Sequence, residues 1–300
     1  MKNGSMGGNM RYTIENEYLK CKVDLHGAEV KSLIRKSDGR EMMWCGDSAY
    51  WGRTSPVLFP FVGAVKDKTY RYDGKTYTIG QHGFARDKDF MLETQNETEI
   101  WFRLTESEDT LAIYPFRFVL RIGYRLEEST LRVMWKVTNP AESELYFSIG
   151  AHPAFAIPSL EGHMLRLFDP EGMPLKEYKN RVFGKDGCVS NQFEVVPISD
   201  GIVLLNEALF DGDALVLEEH EIGRVDLLDD DQNTLVSLSF DAPVVGIWSP
   251  PHKNAPFVCI EPWYGRCDSE EYDGELQERD YECMISGEDT FDVEYIIVVG

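Results

Sequence analysis

Three short segments place an ionisable side chain beside glycine, proline or aromatic residues at the end of an apolar run: Gln81-His82-Gly83-Phe84-Ala85-Arg86, Gly150-Ala151-His152-Pro153-Ala154-Phe155 and Cys259-Ile260-Glu261-Pro262-Trp263-Tyr264. His152 and Glu261 each precede a proline, whose ring disfavours helix at the preceding residue and holds it extended. Both side chains therefore project from a strand or its exit. Two-residue alternation sets Phe257, Cys259 and Glu261 on one face of the last segment, with Val258 and Ile260 on the other. A carboxylate beside Phe257 and Cys259 loses part of its water, which raises its pKa and makes it a better proton acceptor near neutrality. Two imidazoles, one carboxylate and adjacent aromatic rings make a proton-transfer set with flat surfaces suited to stacking on a sugar. Taken singly, each has a plainer reading: a hydrogen-bonded structural histidine, a Glu261 that ends a strand or pairs with Arg86 or Arg266, and Trp263 and Tyr264 as core or rim packing.

Other chemistries lose ground. No GxGxxG follows a strand, and P-loop, GxSxG and HExxH motifs are absent. His220-Glu221 begins like the zinc motif but lacks its second histidine. The six cysteines, Cys21, Cys45, Cys188, Cys259, Cys267 and Cys283, are scattered and form no CxxC pair, which fits a reduced cytoplasm. Thirty Lys+Arg against 52 Asp+Glu give a formal charge of -22, a field that repels nucleic acid and anionic membrane surfaces. No apolar run approaches the roughly 20 residues a membrane helix needs. Residues 1–9 have no signal-peptide core and read as an expression scar before a natural start at Met10.

The elements that must position these residues are strands. Hydrophobic residues make up 43% of the 300, enough for a substantial core. Phe116, Phe118, Leu120, Ile122, Tyr124 and Leu126 alternate with Arg117, Arg121 and Arg125, and the pattern resumes after Glu127, Glu128 and Ser129 through Leu131, Val133, Trp135 and Val137. This predicts an antiparallel hairpin. Asp73-Gly74 and Asp38-Gly39 supply the positive-φ residues of tight turns. Further strands are expected over Ile100 to Leu104, Leu145 to Ile149, Arg224 to Leu228, Leu235 to Phe240, Phe257 to Ile260 and Phe291 to Val299. Short helices are expected at Val203 to Phe210 and Glu275 to Cys283, too short for the crossovers of a parallel sheet. With no linker or internal repeat, residues 10–300 read as one antiparallel all-β domain of two packed sheets.

The three ionisable segments, with Ser55-Pro56-Val57-Leu58-Phe59-Pro60-Phe61-Val62-Gly63 before them, resemble the aldose 1-epimerase family, the galactose mutarotases, and within it the subgroup associated with bacterial lactose and galactose operons. The resemblance runs from about Tyr12 to the C-terminus. It implies a large antiparallel β supersandwich, a monosaccharide as the binding partner and no cofactor or metal. It also implies Glu261 as general base, His152 as general acid and His82 as a sugar contact. Phe84, Trp263 and Tyr264 become candidate apolar faces for the ring. Arg86 becomes a hydroxyl ligand or a brace for Glu261, and Asp213 a hydroxyl ligand whose plainer reading is helix-end capping. Where the family has an arginine after Val62-Gly63, this chain has Ala64, with Lys66 and Arg53 the candidate substitutes.

The reaction so implied moves a proton off the hydroxyl on C1 while another reaches the ring oxygen, so an acid and a base must face the same carbon from opposite sides. Rotation about C1–C2 in the open aldehyde then allows closure to the other anomer. Three other readings stand beside it: a hexose-6-phosphate epimerase, which needs a basic pocket; a sugar-binding protein without turnover; and a metal enzyme using the two histidines and Glu261. The expected assembly is a monomer or a homodimer.

Overall fold

The computed structural model describes residues 10–300, so the reading of 1–9 lies outside the described residues. Two large sheets carry the molecule. The nine-stranded sheet runs, in spatial order, Ile202–Leu204, Met164–Phe168, Arg224–Leu228, Thr234–Phe240, Thr290–Val299, Thr130–Thr138, Val119–Glu127, Glu99–Thr105 and Met91–Gln95. The second runs Val189–Pro197, Glu177–Phe183, Leu215–Leu217, Val244–Trp248, Phe257–Tyr264, Ile149–Ala151 and Val57–Leu58, with Ala154–Ala156 also paired to Phe257–Tyr264. A four-stranded sheet formed by Arg11–Glu15, Leu19–Asp24, Val30–Arg35 and Arg40–Glu41 completes the frame. Every pairing between these strands is antiparallel. The expected all-β sandwich is therefore the observed architecture.

Alternation explains the larger sheet. Phe116, Phe118, Leu120, Ile122, Tyr124 and Leu126 are all buried, as are Leu131, Val133, Trp135 and Val137 across the hairpin. The turn closes at Glu127 opposite Thr130, with Glu128 at φ 50°. Asp73 and Gly74 both take positive φ, as a two-residue hairpin turn demands. The six strand predictions hold with boundaries moved by a few residues. Leu145 to Ile149 is split, however, because the Ser148 amide turns aside to donate to the Pro60 carbonyl (2.8 Å).

Neither predicted helix forms. Residues 202–204 are a strand pairing with Met164–Arg166, and only Glu207–Phe210 makes a 3-10 turn, capped by Asn206. In the second case Leu276–Glu278 is a 3-10 turn and Cys283–Ile285 a strand beside Leu145–Phe147. Tertiary pairing overrides weak local periodicity at both places. The single α-helix among the described residues, Glu108–Ile113, is short and carries a capping box at Ser107.

Candidate active site

Phe257–Tyr264 is the spine of the site. Its neighbour on one side is broken at His152-Pro153: Ile149–Ala151 pairs with its far end, Gly150 opposite Trp263, and Ala154–Ala156 with its near end, Ala154 opposite Cys259. The same register continues through the break, which sets His152 opposite Glu261. Proline has no amide hydrogen to offer a ladder, and the chain there passes with only the Ile260 amide donating to the Pro153 carbonyl (3.3 Å). His152 Nδ1 lies 3.3 Å from Glu261 Oε1, with the side chains 10% and 1% exposed. His152 Nδ1 and Glu261 Oε2 are both buried without an aligned hydrogen-bond partner among the described residues.

His82 arrives from a separate loop. Its φ is 65°, its amide donates to the Gly63 carbonyl (2.9 Å), and the Gly63 amide donates to its Nδ1 (3.0 Å). An Nδ1 that accepts leaves the proton on Nε2, so this ring is a donor at its other nitrogen. The adjacent Gly83 has φ 66° and sits so close to the Phe59 carbonyl that a Cβ would overlap it. The His82 and His152 ring centres are 5.8 Å apart, nearly perpendicular at 77°. Thus all three predicted proton-transfer residues line one cleft of about 440 Å³.

The cleft's charges oppose one another. Burial, and then the negative charge of Asp213, raises Glu261 well above the usual carboxylate range. Burial first, then the Arg86 guanidinium, lowers His152 to about 3. Burial, and then the charges of His152, Arg86 and Arg53, push His82 well below the usual imidazole range. These opposed shifts favour the proton on Glu261 and a neutral His152, not the protonated imidazole of an ordinary histidine pKa.

Of the remaining predicted residues, Trp263, Asp213 and Arg86 line the cleft. The Trp263 indole lies over Gly150, its cross-strand partner on one side, and over Gly246, which stands opposite Glu261 on the other, and at either glycine a Cβ would strike its ring; its Nε1 donates to the Ala151 carbonyl (3.2 Å). Asp213 has φ 85° and accepts from the Ala214 amide (2.8 Å). It follows the 3-10 turn whose N-cap is Asn206, so capping does not explain it. Arg86 does not brace Glu261: its Nη2 donates to the Gln81 carbonyl (2.9 Å), and Arg53 beside it pairs with Asp87 at 2.6 Å. Arg266 is equally engaged elsewhere, with Glu218 at 2.8 Å and with Asp280.

Phe84 and Tyr264 are corrections. Phe84 is core, packed against Phe59, Tyr114 and Phe118, because the loop that turns His82 toward the cleft turns the second residue after it inward. Tyr264 is one residue out of phase with Trp263, and alternation sends it to the opposite sheet face against Trp135 and Phe291.

Trp51 and Trp248 line the cleft without having been anticipated. Trp51 stacks on His152 at 4.6 Å and 26°, and Trp248 meets the same ring edge-on at 5.5 Å and 88°. Neither carries an ionisable group, so a search for proton-transfer residues passes over them; Trp51 stood only two residues before the already suspect Arg53. Ala64 is buried against Cys188, Val189 and Cys267, of which Cys267 lines the cleft. Lys66 is turned away, its Nζ on the Tyr272 carbonyl (2.9 Å), which leaves Arg53 as the candidate that reaches the cleft.

Residues 10–269 match the model of the family described as aldose 1-epimerase. The chain is 29% identical over 299 residues to the chromosomal protein LacX of Lactococcus lactis subsp. lactis, covering 97% of this chain and 99% of that one. The structure of a galactose mutarotase related enzyme from Lactobacillus acidophilus superposes with a TM-score of 0.90 at 34% identity, covering 97% of each chain. A galactose mutarotase-like protein from Lactobacillus casei ATCC 334 superposes equally, at 0.90 and 29% identity, over 97% of this chain and 100% of that one. A cleft carrying His82, His152 and Glu261 thus sits on the fold those relatives share, and the chain belongs to the aldose 1-epimerase family.

Proposed function

We propose that this protein is an aldose 1-epimerase that interconverts the α and β anomers of a free hexose such as galactose or glucose. The observation that carries the reading is the convergence of His82, His152 and Glu261, from three distant segments, on one buried cleft. His152 and Glu261 hold one proton between them. With the proton on Glu261 the pair is uncharged; with it on His152 the pair is the base and acid that ring opening needs. A sugar supplies the bias: its C1 hydroxyl donates to the Glu261 carboxylate and its ring oxygen accepts from the imidazolium, and hydrogen bonds to a charged form favour that form. Glu261 takes the hydroxyl proton, His152 protonates the ring oxygen as the C1–O5 bond breaks, and the roles reverse on closure. The Nε2–H of His82 donates to a sugar oxygen, Trp263 offers an apolar face, and Asp213 accepts from a hydroxyl.

Anomer exchange of freshly dissolved α-galactose and α-glucose, followed by polarimetry or NMR, tests this directly. Glu261→Gln and His152→Asn are each expected to lower the rate by on the order of 10²- to 10⁴-fold, the usual contribution of a positioned acid or base. No acceleration over buffer by the native chain for any common aldose would overturn the reading.

One observation favours a second substrate. Arg53 and Arg86 lie side by side on the cleft wall with Asp87 as their shared carboxylate, 2.6 Å from Arg53 and 3.8 Å from the Arg86 Nε, which is buried without a hydrogen-bond partner among the described residues. This basic corner suits a hexose bearing a phosphate. Rates on glucose and glucose 6-phosphate, and the loss of any preference in Arg86→Met, separate the two.

A further inference from the structure

Beneath the cleft the spine strand turns a third potential ligand toward the acid–base pair. Cys259 shares the face of Glu261, two residues along, and lies opposite Ala154 just past the break that carries His152. An Nδ1 or Nε2 of His152, the Cys259 Sγ and a Glu261 oxygen all lie within 4.8 Å of one another, and all three residues are buried. The 3.3 Å between His152 Nδ1 and Glu261 Oε1 is close to the spacing of two neighbouring ligands on a tetrahedral ion with bonds of about 2.0–2.2 Å. Two buried lone-pair atoms here lack hydrogen-bond partners among the described residues, His152 Nδ1 and Glu261 Oε2. Buried polar atoms without partners are uncommon, and each calls for an explanation.

Imidazole, thiolate and carboxylate make a mixed donor set that suits a borderline-soft divalent cation and offers little to magnesium or calcium, which take oxygen ligands. Three protein ligands with the fourth position open toward a cavity is also the pattern of reactive zinc sites. We infer that His152, Cys259 and Glu261 form a binding site for Zn2+ that opens into the cleft and arrests anomer exchange when filled. Binding releases two protons to solvent, the Cys259 thiol proton and the one the His152–Glu261 pair holds, and puts metal–sulfur and metal–oxygen bonds in place of the S–H and O–H bonds. The same ion occupies the lone pairs of His152 and Glu261, so neither moves a proton while it is bound. The fourth position faces the cleft, where a sugar hydroxyl or water completes the shell. The arrest rests on the functional reading above; the binding does not.

Calorimetry of the full chain with zinc chloride, with magnesium chloride as control, reads the binding. One Zn2+ per chain with micromolar or tighter affinity is expected, and no heat from magnesium. Cobalt chloride added to the native chain is expected to give a thiolate-to-cobalt charge-transfer band, which needs no substitution and so no assumption about folding. Cys259→Ser should remove that band and weaken zinc binding by on the order of 100-fold, while anomer exchange in metal-free buffer stays within about twofold of native. Zinc should stop exchange in the native chain at one equivalent, and EDTA should restore it. Absence of zinc binding, or binding without the thiolate band, overturns the site. So does a Cys259→Ser chain that binds zinc as the native one does, and exchange that persists with the site full overturns the arrest. A native chain that binds zinc with the band but never catalyses exchange leaves the site standing and refutes the functional reading alone.

Discussion

Burial holds the Glu261 proton in place, and the Asp213 carboxylate adds to that effect. On the mechanism proposed above, the active form of the His152–Glu261 pair carries one proton, so two macroscopic limbs would bound the pH profile. Below about 3 His152 takes up a second proton; above the raised Glu261 value the shared proton is lost. Turnover is therefore expected to fall as pH rises through that upper limb. Asp213→Asn removes the negative charge that helps raise Glu261, and the limb should move to lower pH when kcat/KM is measured from pH 5 to 10. A limb that stays in place would separate Asp213 from the acid–base pair. At this scale the sequence spoke clearly wherever a constraint was local. Proline after His152 and after Glu261, and alternation along Phe257, Cys259 and Glu261, give the right placement without coordinates. Phe84 and Tyr264 were misplaced because nearness in sequence to a catalytic side chain says nothing about facing the same way. Trp51 was missed because its contribution is a ring face against His152, and only three-dimensional contact reveals that.

Strand pairings and loop contacts are what bring the three segments together. Gly83 is the most exposed to test: Gly83→Ala forces a Cβ onto the Phe59 carbonyl at a backbone angle that alanine resists. A loss of about 2 kcal/mol or more in denaturant stability is expected, with a larger fall in exchange rate than the stability loss accounts for, since His82 hangs on the same loop. Full activity with native stability would show that the loop relaxes freely. Strands with strict alternation were legible from their residues, as the hairpin from Val119 to Thr138 shows. The two supposed helices were not. Residues 202–204 and 283–285 are three-residue strands whose identity depends on partners far away in the chain, Met164–Arg166 and Leu145–Phe147. Three residues carry too little periodicity to outweigh a neighbouring apolar run that happens to recur every three or four positions.

At the level of the whole molecule, the order of strands in the larger sheet is the feature with the widest reach. One half of that sheet comes from residues 91–138 and the other from residues 164–240, and Thr290–Val299 alone joins them, bonded to Thr130–Thr138 on one side and Thr234–Phe240 on the other. Tyr295, Ile297 and Val299 fill the core at that seam. Deleting residues 289–300 is expected to leave the chain insoluble, as a fractionation of expressed protein would show; a soluble, sugar-binding product would mean that the halves close without it. During synthesis the same arrangement keeps two ladders unsealed until the strand between them leaves the ribosome. Until then each offers a bare row of amides and carbonyls to any extended peptide nearby. Crowded translation, fever-range temperature or scarce chaperones should therefore cost this protein yield long before they cost it activity.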